Sequence, residues 1–74
     1  MNVTVTAIGN IKQFVPEETE IALEAPVSLK DLKVIAGIPH GKSVIYAVNG
    51  KAQKGDYEVA DNDQVKFLMV AGAG

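Results

Sequence analysis

The chain has 74 residues, 47% of them hydrophobic and 22% charged, which allows one small globular domain and argues against disorder. Net charge is −2, the seven basic residues are all lysines spread along the chain, and cysteine is absent. Disulfides, zinc–thiolate sites, iron–sulfur ligation and cysteine nucleophiles are thereby excluded, and clustered Arg/Lys recognition of nucleic acid is not expected. No apolar run approaches the roughly 20 residues of a membrane span, and no signal peptide is evident, so a cytoplasmic location is expected. A domain this small buries only about 60% of its unfolded surface. Function is therefore expected on a surface, a loop or a terminus rather than in a deep active site.

Residues Asn2 to Ile8 alternate with period two, Val3, Val5 and Ala7 on one face and Thr4, Thr6 and Ile8 on the other, which predicts a strand. Gly9-Asn10 is a turn signal, and Ile11 to Pro16 is ambiguous between loop and strand. Thr19 to Glu24 alternates again, with Ile21 and Leu23 inward, so the two runs predict a hairpin with a long loop. Pro26 ends that strand. Ser28 is an N-cap residue with Asp31 three positions on, and Leu29, Leu32, Ile35 and Ala36 follow at helical spacing while Lys30 and Lys33 face water. Gly37 and Pro39 stop the helix. Two to three turns are too few to be stable alone, so this helix must lie on the sheet.

Val44 to Val48 predicts a third strand, and Asn49-Gly50 after it is a strong hairpin signal because both residues tolerate positive φ. Ala52 to Val59 is irregular, with a turn at Gly55-Asp56 and a short strand following it. Asp61-Asn62-Asp63 is a turn, and Val65 to Val70 is a strongly apolar final strand. Ala71-Gly72-Ala73-Gly74 carries no large side chain and is expected to be a mobile tail. One helix and a mixed sheet make an α+β arrangement.

The order of elements, Asn49-Gly50-Lys51 after the third strand, and the closing run from Ala60 to Gly74 resemble the ubiquitin-like sulfur carriers, the thiamine-biosynthesis carrier and the small subunit of molybdopterin synthase. The resemblance covers essentially the whole chain, and the last fifteen residues carry most of it. It implies a β-grasp fold, a mixed sheet of four to five strands packed on one short helix, with residues 1–70 as the domain and 71–74 as the tail. It also implies a function. The Gly74 carboxylate would be adenylated by an ATP-dependent, ubiquitin-activating-type enzyme. Sulfur would then displace AMP, leaving a thiocarboxylate for a sulfur-accepting synthase. The carrier itself would be no enzyme and would hold no cofactor. The chain departs from the family pattern at Asn62, where glycine is usual between two acids, and at Ala73, where the usual ending is Gly-Gly.

Strand alternation predicts a docking face beside the tail. With Val65, Phe67 and Met69 inward and Val44, Tyr46 and Val48 inward, Ile45, Ala47, Leu68 and Val70 point outward together. A second class of function uses this face alone: a ubiquitin-like binding module that carries no sulfur, with Ala73 as its support. Protein conjugation through Gly74 is a third, sharing the activation step. His40 has no partner cluster, and Asp56, Glu58, Asp61 and Asp63 lack the spacing of a calcium loop. Glu17, Glu18 and Glu20 read as a solvated acidic edge, Lys51 and Lys54 as solubilising lysines, Thr4 and Thr6 as ordinary strand residues.

Overall fold

The computed structural model describes residues 1–9, 18–39, 41 and 43–69. The alternation of β-branched residues produces the strands it predicts. β1 (Asn2–Ile8) pairs antiparallel with β2 (Glu18–Ala22), joining Val3 to Ile21 and Val5 to Thr19. The pairing extends past β2, where Leu23 N–H donates to the Met1 carbonyl at 2.7 Å and the Met1 ammonium donates to the Leu23 carbonyl at 2.9 Å. β3 (Val44–Val48) and β4 (Lys51–Gln53) form a tight hairpin, with Asn49 at φ 51° and Gly50 at φ 86°. Both central residues are left-handed, as a two-residue turn matched to strand twist requires. β5 (Gln64–Met69) lies in the middle of the sheet, parallel to β1 and antiparallel to β3. The strand order is β2-β1-β5-β3-β4. This mixed five-stranded sheet with one short helix is the β-grasp arrangement.

The helix α1 (Leu29–Ile35) starts where the sequence places its cap: the Ser28 side chain accepts from Asp31 N–H at 3.2 Å. It ends in a Schellman turn. Gly37 N–H donates to the Val34 carbonyl and Ile38 N–H to the Lys33 carbonyl, both at 3.0 Å, with Gly37 at φ 101°. That turn drops Ile38 into the core beside Leu29 and Leu32. The inner sheet face supplies Val3, Val5, Ala7, Val48, Val65 and Phe67, and Val59 completes the buried set. Tyr46 meets Phe67 edge-on at 5.7 Å, a geometry worth about 0.5–1.5 kcal/mol beyond area burial.

Two expectations are corrected. Lys33 is 6% exposed and Ile35 is 52% exposed, the reverse of the predicted faces. At about 100° per residue the buried direction set by Leu29, Leu32 and Ala36 lies nearer Lys33 than Ile35. The lysine stem can flank the core, as long aliphatic stems do. Ile38, arriving after the turn, takes the core position that Ile35 was assigned. The short strand, moreover, precedes the Gly55-Asp56 turn instead of following it. A two-residue turn returns the chain at once, so Lys51–Gln53 pairs with β3 and only an isolated Ser28–Glu58 bridge follows. Ile11 to Pro16, Glu17, His40, Val70 and the segment 71–74 lie outside the described residues.

Candidate functional site

The outer sheet face is built from the residues that alternation turns away from the helix. Register places three of them in one row across the three central strands. Ile8 of β1 is opposite Leu68 of β5, and Leu68 is opposite Ile45 of β3. With strands about 4.8 Å apart, the row is roughly 10 Å wide. Ile45 is 50% exposed and Ile8 41% exposed, while Leu68 between them is half-buried. The predicted pairing of Ile45 with Leu68 is therefore present. Ala47 lies one step along, half-buried between Lys66 of β5 and Ala52 of β4. Val70 and the tail residues Ala71, Gly72, Ala73 and Gly74 lie outside the described residues.

Ile8 was missed as a member of this face. The sequence puts it on the outward side of β1, but which residue of β5 it meets depends on parallel register, for which no local signal exists. The row lies toward the C-terminal end of β5, which stops at Met69.

The other end of β5 is held by a polar cluster. Asp63, only 6% exposed, accepts from the Asn49 side-chain amide at 2.9 Å through one carboxylate oxygen. Its second oxygen accepts from Ala60 N–H at 2.8 Å and from the Tyr57 hydroxyl at 3.3 Å, long for a hydroxyl–carboxylate bond. Asn49 is used on both ends of its amide: its oxygen accepts from Gln64 N–H at 2.9 Å, and its backbone N–H donates to the Gln64 carbonyl at 2.8 Å. On the β1 side, Asn2 N–H donates to the Asp61 carboxylate at 2.7 Å, Asn62 N–H to the Asn2 carbonyl at 2.7 Å, and Thr4 N–H to the Asp63 carbonyl at 3.0 Å. The start of β5 is thus pinned to β1 and β3 together.

That pinning sets the face. A slip of one residue would turn Val65 and Phe67 outward and Lys66 and Leu68 inward. The sequence marks Asp61-Asn62-Asp63 as a turn only; the clue it does offer is the pair of turn clusters, at Asn49 and Asp63, flanking apolar strands. Tyr57 responds to the same cluster. Its phenol is pushed above its ordinary value by desolvation first, then by the Asp63 charge and the hydrogen bond to it. Tyr46 is raised by burial. Among the described residues no group of acids and histidines is placed to hold a metal ion, and no helix is long and apolar enough to cross a membrane.

A family model described as the ThiS family matches residues 5–74. No curated protein matches the chain by sequence. Among solved structures, the putative molybdopterin converting factor subunit 1 from Pyrococcus furiosus is similar at TM-score 0.71 and 25% identity, over 93% of this chain and 97% of that one. SAMP1 from Haloferax volcanii is similar at TM-score 0.73 and 10% identity over 100% of both chains. The molybdopterin-converting factor of Helicobacter pylori 26695, solved as a complex of subunits 1 and 2, is similar at TM-score 0.64 and 24% identity over 100% of both chains. With the sheet order, the helix α1 and a family match running to the last glycine, the chain belongs to the ThiS family of ubiquitin-like sulfur carriers.

Proposed function

We propose that this protein carries sulfur on its C-terminal carboxylate for cofactor biosynthesis, as a substrate of an adenylating enzyme and a partner of a sulfur-accepting synthase. The observation that supports this most is the family match, which extends through Gly74. In the proposed sequence the Gly74 carboxylate attacks the α-phosphorus of ATP and pyrophosphate leaves, giving an acyl adenylate. A sulfide-level nucleophile then attacks the acyl carbon; AMP leaves with the C–O bond electrons, and a thiocarboxylate remains. No side chain of this protein takes part. Its contribution is a carboxylate on a narrow segment, Ala71 to Gly74, five residues beyond Met69 with Val70 included. Fully extended, five residues span at most about 18 Å, enough to enter a nucleotide site while the domain stays outside.

Ordering such a segment costs roughly 1–2 kcal/mol per residue, which the docked domain must offset. The outer face, through Ile45, Ala47, Leu68 and Val70 with Ile8 added, is the surface assigned to that docking. Similarity to the molybdopterin converting factors, one of them solved with its second subunit, favours a synthase of that kind as the acceptor over the thiamine branch. The alternative is a sheet-binding module that carries no sulfur, favoured by Ala73 where the family usually has glycine.

Intact mass decides between them. The protein is incubated with its host's adenylating enzyme, ATP and a sulfide donor. A mass gain matching one oxygen replaced by sulfur, lost on deletion of Gly74, is the expected result. An unchanged mass, with the enzyme active on another carrier, would sink the carrier reading and leave the binding module.

A further inference from the structure

The outer face has a charge order as well as an apolar row. The row next to Ile8, Leu68 and Ile45 reads Glu18, Thr6, Lys66, Ala47, Ala52 from β2 to β4. Lys66 is exposed, on the central strand, with uncharged neighbours on that face: Thr6 and Ala47 across the strands, Gln64 and Leu68 along its own. Its ammonium makes no ion pair among the described residues. The acids of the same face, Glu18 and Glu20, are set back on the edge strand β2.

Lysines are common on edge strands, where they block unwanted pairing. Lys66 has no such task, because β5 is paired on both sides. It also lies only two residues, about 6.6 Å, from Leu68. Any protein that covers the row from Ile8 to Ile45 therefore covers Lys66 too, and a covered ammonium without a partner is strongly unfavourable. We propose that the partner of this face is a folded protein whose apolar contact patch carries an Asp or Glu carboxylate opposite Lys66, and that this pair sets the orientation of docking. The acidic margin of β2 disfavours the seating that would place the same carboxylate over Glu18 and Glu20. The proposal rests on the reading that the outer face docks the carrier's partners.

The test measures binding of the host's adenylating enzyme to the unaltered chain and to Lys66→Met, Lys66→Glu and Ile45→Asp at two salt concentrations. Both positions are exposed, so all variants should fold, which circular dichroism verifies. The expected result is that Ile45→Asp removes measurable binding. Lys66→Met weakens it roughly tenfold and flattens its salt dependence, and Lys66→Glu weakens it by about a hundredfold or more. Lys66→Met is decisive, because it keeps the stem and removes the charge. Binding equal to or tighter than the unaltered chain would mean that the lysine is merely tolerated, and would overturn the proposal while the docking face stands. Undiminished binding by Ile45→Asp would overturn the face and the proposal together, as would failure of the unaltered chain to bind. Sedimentation of the unaltered chain as a dimer that Ile45→Asp dissociates would assign the face to a second copy and overturn the proposal.

Discussion

Asp63 shows how one side chain can govern a surface it does not join. Its two oxygens face only donors: the Asn49 amide, Ala60 N–H and the Tyr57 hydroxyl. Asp63→Asn would turn an NH2 group toward one of them, and Asn49 cannot compensate by flipping, because its oxygen already serves Gln64 N–H. A buried donor left unmatched costs about 1–3 kcal/mol, which urea unfolding should register as a lower midpoint at unchanged slope. Tyr57 reports on the same site at high pH. Its folded-state value is raised, so its contribution is fully present below the unfolded tyrosine value of 10.0 and is lost as pH rises through the folded value. An ionised phenolate would face the Asp63 carboxylate and have no proton to donate. Tyr57→Phe should therefore reduce the alkaline loss of stability without abolishing it, since Tyr46 is raised as well. Unfolding midpoints collected from about pH 8 to pH 11 would check this. Asn62, at φ 68°, fills with an amide the left-handed position where the family usually has glycine. That substitution was legible in the sequence as a mild one, because asparagine is among the few residues that adopt this conformation readily.

At the scale of elements, the helix depends on its exit more than on its length. Seven residues give little intrinsic stability. Gly37 closes two hydrogen bonds and delivers Ile38 to the core, and its φ of 101° is costly for any residue with a Cβ. Gly37→Ala should lower stability by about 1–2 kcal/mol. In a domain of this size each 1 kcal/mol lowers Tm by about 4–8 °C, so the fall is measurable by calorimetry. The helix start and stop were readable, since Ser28, Gly37 and Pro39 act through local geometry. So were the strand faces of β1, β3 and β5, because period two fixes them. The exchange of Lys33 and Ile35 was not readable. In a helix of two turns, a shift in the direction of burial of a few tens of degrees decides which flank is covered, and that direction is set by the sheet. The place of β4 was misjudged for a related reason: Lys51–Gln53 has no strand pattern of its own and pairs because the Asn49-Gly50 turn aims it at β3.

For the molecule as a whole, the family likeness was legible because it is concentrated in the closing run. The face beside that run was legible only in part. Ile45 and Leu68 could be paired by alternation, whereas Ile8 and Lys66 acquire their neighbours from long-range register. The same register has a consequence for synthesis. Asn2 bonds to Asp61, 59 positions away, and the middle of the sheet is made by the first and last strands. A nascent chain ending at Ala60 has hairpins but no central strand, and it lacks Val65 and Phe67 from the core. Contacts of such long sequence separation slow folding, so refolding on the millisecond-to-second scale is expected instead of microseconds, and stopped-flow fluorescence of the tyrosines would time it. A ribosome-arrested chain stopped before Gln64 should be digested by protease, whereas one extended past Gly74 by enough linker to clear the exit tunnel should resist. Synthesis therefore yields no finished core until Gln64–Met69 has left the tunnel, because the strand made last is the one that the sheet closes around.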